Sequence, residues 1–360
     1  MSEKVLILQT AFLGDLILST SFFHAVRKVH PDAIIHLVCN LGTEQILEGN
    51  PDLNLVIPLD KKKIKKHLFG FISFALGLRK EKYTIVYAAH FSFRSSLMSY
   101  LTGAPVRVGY AESGFSFLHT KTVPRPKTGP HEVEKLFSLL PIDPIDYPKD
   151  RDRRPFLFPK SDDISSFRKT SQTILPNNEP YIILAPSSLW ETKRLPEEKF
   201  VSIISQILRK RTETIVLIGS KADEKIQDRI FQLLKIEPLK EKERARLHSL
   251  IGKTSLGELA VWIQNASAIV SNDSSPVHFA SAFDTPTIMI YGATIPAFGY
   301  SSLATRQKIL EVPDLSCRPC GIHGGNSCPR SHFKCMLDQD PLKIFKSLEE
   351  IIPNDFQKNR

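Results

Sequence analysis

Short apolar runs rich in β-branched residues alternate with segments of helical spacing along almost the whole 360-residue chain. This rhythm limits the fold more than any other feature. KVLILQ (4–9) reads as a fully buried strand, and DLILSTSFFHAVRKVH (15–30) as the helix behind it. AIIHLV (33–38), LNLVIP (53–58) and YTIVYAA (83–89) continue the pattern. It resumes with YIILAP (181–186), TETIVLIG (212–219), ASAIVSN (266–272) and PTIMIYG (286–292). Helices are expected from about Pro196 and Lys221, with the apolar segment ELAVWIQNA (258–266) after them and KIFKSLEEII (343–352) as a terminal helix. Continuously apolar strands joined by helices form parallel sheets covered on both faces. The expected fold class is therefore α/β, with two doubly wound domains in tandem.

The rhythm breaks at PIDPIDYPKDRDRRPFLFPK (141–160), where proline and charge accumulate. That stretch is the best linker, since the chain exceeds one ordinary domain. The expected organisation is a domain over 1–160, a second over 161–345, and a terminal helix and tail over 346–360.

Net charge is +10, which favours partners bearing phosphates or carboxylates. The basic residues are dense in KKKIKK (61–66) and RDRR (151–154). A nucleic-acid-binding protein would show a basic face with aromatics, or a helix-turn-helix or RNA-binding signature. None is visible, and no nucleic-acid partner is expected. Met1-Ser2-Glu3-Lys4 runs straight into VLIL, so no secretory leader is expected. HLFGFISFALGL (67–78) is shorter than the roughly 20 residues a membrane helix needs. The expected location is the cytoplasm, with the five cysteines reduced.

Doubly wound sheets bind ligands beyond the carboxyl ends of their strands, so the strand-to-helix loops are the candidate sites. In QTAFLGDLILST (9–20), Gly14 suits a tight turn and Asp15 falls at the helix start. Asp15 is either an N-cap, worth about 1 kcal/mol, or a carboxylate at the switch point of the sheet, facing the cleft between domains. No GxGxxG follows the strand, which argues against a dinucleotide fingerprint. In APSSLWETKRLPEEKF (185–200), Ser187, Ser188 and Lys193 could cradle a phosphate. The plainer alternative is a polar surface loop. LIGSKADEK (217–225) ends a strand at Gly219 and is unremarkable by itself.

SNDSSPVHFASA (271–282) is the most loaded loop. Ser274 or Ser275 is expected to cap a helix with Pro276 in its first turn, whose backbone N–H groups would attract phosphate. His278 lies one turn in, within reach of an anion. Asp273 would repel phosphate, so its expected partner is a sugar hydroxyl. Finally, Cys317, Cys320, Cys328 and Cys335 fall within a single segment. Such spacing often means structural zinc; reduced thiols packing a loop, or adventitious disulfides, are the alternatives.

Taken together, LGDLILSTSFFHAVRKVHPDAIIHLVCN, YTIVYAAHFSFRSSLMSYLTGAPVRVGY, PSSLWETKRLP, SNDSSPVHFASAFDTPTIMIYGATIPAFG and CRPCGIHGGNSCPRSHFKCM carry a family resemblance. In this order they resemble the heptosyltransferases of glycosyltransferase family nine, most closely the heptosyltransferase II branch. The resemblance implies a GT-B fold, with two Rossmann-like domains facing each other across a cleft. The C-terminal domain would bind the donor ADP-heptose and the N-terminal one an acidic glycolipid acceptor, the lipopolysaccharide inner core. By motif, Asp15 matches the general base of an inverting transfer, with Gly14 beside it. Lys193 matches the lysine that neutralises the donor diphosphate, flanked by Ser187 and Ser188. Asp273, Ser274 and His278 match a D-[ST]-G-x-x-H donor turn, except that Ser275 and Pro276 replace glycine and an aliphatic residue. Asp223, after Gly219, matches an acidic donor contact. Lys61, Lys62, Lys63, Arg94 and Arg107 are the candidates for acceptor contact. The lysine run would also meet the anionic inner face of the inner membrane, at about 1 kcal/mol per lysine, unless it is simply a solvated charge run. No cofactor or metal is required by the family's mechanism. A GT-B transferase or epimerase using another nucleotide-sugar is the competing reading.

Overall fold

The computed structural model describes residues 3–61, 63, 68–175 and 177–352. The chain divides into two compact units, Met1–Phe158 and Pro159–Arg360.

The first unit holds a six-stranded sheet in the order β3-β2-β1-β4-β5-β6. Its strands are β1 (Lys4–Leu8), β2 (Ile34–Asn40), β3 (Leu55–Leu59), β4 (Ile85–Tyr87), β5 (Val106–Tyr110) and β6 (Lys121–Val123). All pairings are parallel, with Val5 opposite both Ile35 and Ile85. β1 is central and buried from Val5 to Leu8, which is why its sequence is continuously apolar. β5 and β6, short and partly polar, lie outside the strands expected from the sequence.

The second unit repeats the plan with β7 (Tyr181–Ala185), β8 (Thr214–Leu217), β9 (Leu247–Ser249), β10 (Ala268–Asn272), β11 (Thr287–Ile290) and β12 (Gln307–Leu310). The order is β12-β11-β10-β7-β8-β9, again all parallel. Read from β9, this is the same 3-2-1-4-5-6 order as in the first unit. Each sheet therefore reverses its strand order once, between β1 and β4 and between β7 and β10. Those two places are where a doubly wound sheet opens a crevice.

Helices pack by their apolar stripes. Glu197–Lys210 buries Phe200, Val201, Ile203, Ile204, Ile207 and Leu208 against Leu184 and Ile215 of the sheet. Each such side chain contributes about 1.5–3 kcal/mol when fully buried. ELAVWIQ of the apolar segment ELAVWIQNA lies on the helix Leu256–Gln264, with Trp262 fully buried. Leu68–Arg79 turns Phe71, Ala75 and Leu78 inward and leaves Phe69 exposed. Among the described residues, no helix is long and apolar enough to cross a membrane.

Two details of the expected organisation change. The proline-rich stretch, within which the two units divide, is held to the first unit: Phe156 N–H donates to Thr20 Oγ1 at 2.8 Å and its ring lies 4.4 Å from that of His24. The terminal helix, Pro341–Ile351, buries Ile344, Phe345, Leu348 and Ile351 in the core of the second unit instead of standing apart.

Candidate active site

The switch point of the second unit is tied by one fully buried side chain, Asn272, at the end of β10. Its Nδ2 donates to Pro186 O at 2.8 Å, while its Oδ1 accepts the Leu195 N–H at 3.1 Å. The loop carrying Ser187 and Ser188 and the loop carrying Lys193 are thereby fixed to the strand end. Arg194 adds a second tie, donating from Nε to Ser188 O at 2.6 Å.

The next residue, Asp273, is buried, and Lys193 Nζ reaches its Oδ2 at 2.6 Å. Thr294 Oγ1 donates to the same oxygen at 2.5 Å. Lys193 comes from a short 3-10 turn, Glu191–Lys193, and Thr294 from the loop after β11. Three separate loops thus converge on one carboxylate. The approach is close: a Cβ on Gly292 would lie 2.6 Å from Thr192 O, and one on Gly324 would lie 3.3 Å from Lys193 Cγ. Gly325 N–H donates to Thr192 Oγ1 at 2.8 Å, and Arg318 donates to Thr294 O at 2.7 Å. The cysteine-rich segment therefore backs the site.

The helix after Asp273 runs over Pro276–Phe283 with proline at its start, as the sequence implies. The expected serine cap is corrected. Ser275 is already helical, with φ −53° and ψ −32°, and its hydroxyl makes no capping bond. Ser274 Oγ instead bonds back to Asn272 O at 3.3 Å. The first turn is closed by the backbone, with His278 N–H donating to Ser275 O at 2.9 Å. Ser275 in the family's glycine position needs no left-handed backbone. His278 is buried on this helix. The Asp273 carboxylate is close enough to add to the rise in the Tyr291 pKa, which burial mainly causes.

Asp223 and Gly219 lie apart from this cluster in their bonding. Asp223 Oδ2 accepts both the N–H and the hydroxyl of Ser220 at 2.7 Å, closing a capping box. A Cβ on Gly219 would meet that carboxylate at 3.1 Å.

In the first unit, helix α1 spans Leu13–Val29. Two expectations fail here. Gly14 is inside the first helical turn, not in a turn before it, and Asp15 is not the cap, since Phe12 holds that position. Asp15 is half-buried, with its backbone carbonyl accepting Ser19 Oγ at 2.7 Å. Its carboxylate lies near Glu132, whose pKa is raised by burial, opposed by Arg125 and reinforced by Asp15. Arg125 donates to Glu132 Oε1 at 2.6 Å. The β1/β4 switch point is bridged by Thr10 Oγ1 and His90 Nδ1 at 2.8 Å. Lys61 Nζ donates to Thr10 O. Lys61, His90, Ser92 and Arg94 line a pocket of about 70 Å³ at this edge. Lys63 is exposed, and Lys62 lies outside the described residues. Arg107 sits at the amino end of β5, the opposite edge, where its guanidinium donates to Leu118 O at 2.9 Å and Ala104 O at 2.5 Å.

Cys317, Cys320, Cys328 and Cys335 are free thiols close enough to feel one another's charge. Cys335 is buried in the hydrophobic core, and Cys320 Sγ donates to Cys317 O at 3.3 Å. Among the described residues, no group of three or more His, Cys, Asp or Glu is placed to hold a metal ion. Burial pushes the Cys335 thiol up to about 11.

Asn272, Thr294, Thr10 and His90 escaped the sequence reading. A signal existed for Thr294, because YGAT follows a strand as directly as SND does.

A family model, glycosyltransferase family 9 (heptosyltransferase), matches residues 71–324. Lipopolysaccharide heptosyltransferase 2 of Escherichia coli (strain K12) is 26% identical over 97% of this chain and 98% of its own length. Lipooligosaccharide heptosyltransferase 2 of Haemophilus influenzae is 24% identical over 97% and 99%. Among solved structures, a family 9 glycosyl transferase from Veillonella parvula superposes with a TM-score of 0.82 at 20% identity, covering 98% of both chains. E. coli ADP-heptose LPS heptosyltransferase II gives 0.77 at 23% identity over 97% and 98%. These likenesses carry the GT-B fold. With two parallel sheets of one topology and a family model matched across most of its length, this chain belongs to glycosyltransferase family 9, the heptosyltransferases.

Proposed function

We propose that this glycosyltransferase moves heptose from ADP-heptose to the inner core of lipopolysaccharide, with inversion at the anomeric carbon. The second unit binds the donor and the first the acceptor. The observation that carries this reading is the buried Lys193–Asp273 pair at 2.6 Å, set on the β7/β10 switch point beside the start of the Pro276–Phe283 helix. A cation and a helix N-terminus at one crevice suit a diphosphate. Lys193 and Thr294 both bond Asp273 through Oδ2, and Oδ1 is the oxygen assigned to a donor hydroxyl. Ser187, Ser188, Ser274, Ser275 and His278 line the donor around this point, with Gly219 and Asp223 as an outer contact.

In the transfer, Asp15 takes the proton of the acceptor hydroxyl as that oxygen attacks the anomeric carbon. The bond from this carbon to the ADP oxygen breaks, and ADP leaves with the electron pair. Lys193 and the helix start meet the negative charge that grows on the diphosphate. None of these steps is routed through a metal or a cofactor. Lys61, Lys62, Lys63 and Arg94 serve the acidic acceptor, with Arg107 reaching it only through the loop it holds. The enzyme works on the cytoplasmic side, against the anionic inner face of the membrane that presents this acceptor.

The test is thermal stabilisation and transfer with ADP-heptose beside UDP-sugars. Stabilisation and turnover with ADP-heptose alone support the reading. Stabilisation by a UDP-sugar, with no response to any ADP-sugar, overturns it.

A further inference from the structure

The first unit displays aromatic rings that its core does not use. Phe93, Phe115 and Phe117 are 50%, 46% and 79% exposed. They touch one another edge to face, with ring centroids 6.0 Å apart from Phe93 to Phe115 and 6.0 Å from Phe115 to Phe117. Full burial of such a ring is worth about 1.5–3 kcal/mol, and each forgoes roughly half or more of it by facing solvent.

The display is built, not slack. A Cβ on Gly114 would lie 2.8 Å from Phe93 Cβ, so glycine there lets the loop close on the first ring. Phe115 has φ +62°, a left-handed conformation that disfavours a bulky side chain. Strain of this kind persists only where surrounding structure enforces it. The enforcement is visible: Arg107 grips Leu118 O at 2.9 Å, and buried His119 packs on Gly109 with Nε2 3.1 Å from Ser96 Oγ. Phe93 opens the helix that follows β4, and Phe115 packs on it from the loop between β5 and β6, with Phe117 further along that loop.

Cations accompany them. The Arg94 guanidinium carbon lies 5.2 Å over the Phe93 ring. One pocket is lined by Lys61, Phe93 and Arg94 together. Exposed aromatic rings interleaved with cations suit the headgroup zone of an anionic membrane.

We propose that Phe93, Phe115 and Phe117, with Arg94, form the surface by which this enzyme docks on an anionic lipid bilayer. The rings enter the headgroup region while the guanidinium meets lipid phosphates. This rests on the reading that the acceptor is held at a membrane.

The experiment is co-sedimentation of the full chain with vesicles of phosphatidylglycerol and phosphatidylethanolamine, compared with phosphatidylcholine alone. Phe115→Gly and Phe117→Ala are combined, with melting temperature and turnover on an acyl-free acceptor as controls. The double variant should bind anionic vesicles about tenfold more weakly. Its melting temperature should not fall, because glycine accepts the positive φ. Unchanged vesicle binding by the double variant overturns the aromatic surface. If only Lys61→Ser and Lys63→Ser weaken binding, the membrane reading stands and the ring surface falls. If the parent binds neither vesicle and the double variant loses self-association instead, the rings are a contact between copies and both ideas fail.

Discussion

Replacing Lys193 by methionine removes one partner of a 2.6 Å ion pair whose side chains are only 12% and 7% exposed. Methionine retains an unbranched apolar stem, so the contact beneath Gly324 survives. What changes is charge: Asp273 loses its cation and keeps the Thr294 hydroxyl at 2.5 Å. Breaking a buried pair from one side costs about 3–5 kcal/mol, and the partial exposure of Lys193 puts this case near 3. For a unit of this size, Pro159–Arg360, that lowers the melting temperature by roughly 6–12 °C. Asp273→Asn should cost a similar amount, because it strands the lysine. The double variant, Lys193→Met with Asp273→Asn, leaves no unmatched charge and should return to within about 1 kcal/mol of the parent. Affinity for ADP behaves differently. The diphosphate loses its cation in both lysine variants, and one charge-assisted bond is worth about 1.5–3 kcal/mol, or one to two orders of magnitude in Kd. Calorimetric titration with ADP, run beside thermal melts of all four proteins, reads both quantities. Full recovery of ADP affinity in the double variant would refute the reasoning, since it would make the pair a structural strut. So would a Lys193→Met protein that melts like the parent.

Asp15→Asn should lower transfer by about 10²–10⁴-fold with ADP binding intact. Its melting temperature should stay level or rise slightly, since Asp15 is no cap and its charge opposes that of buried Glu132. Parallel loss of ADP binding would count against a role as base. Gly109→Ala should destabilise the first unit by at least about 1–3 kcal/mol, because the new Cβ would stand 2.3 Å from His119 Nε2; urea unfolding measures it. Acid should destabilise the fold through His36 and His119, both held below the ordinary histidine value of 6.5 by burial, His119 also by Arg107. Below pH 6.5 the unfolded chain takes up protons that the folded one refuses. Stability is therefore whole above that pH and falls beneath it, by up to about 1.4 kcal/mol per pH unit for each histidine. Unfolding curves on either side of pH 6.5 check the slope, which His36→Gln with His119→Gln should flatten.

What could be read from the sequence follows from how local each signal is. β1, β2, β7, β10 and β11 are buried on both faces, so their apolar runs announce them. β6 and β9 are three residues each, KTV and LHS, at sheet edges where water replaces packing and the pattern fades. Lys193 and Asp273 were each visible as loop residues beyond a strand, but their pairing spans 80 positions and is set by the sheet order. Asn272 looks like a mere strand end until its bonds to Pro186 and Leu195 are seen. The placement of Asp15 as a cap missed by most of a turn because Leu13 and Gly14 join the helix without any capping side chain to mark its start. Cys335 lies in the core next to Met336, a placement that the spacing of the cysteines does not carry.

The central claim is that the β7/β10 switch point holds the diphosphate of the donor. A crystal structure of the full chain with ADP-heptose tests it most directly. The account predicts diphosphate oxygens within hydrogen-bond distance of Lys193 Nζ and the first turn of the Pro276–Phe283 helix, with a donor hydroxyl on Asp273. A diphosphate bound elsewhere, with the Lys193–Asp273 pair undisturbed and remote from it, would contradict the account.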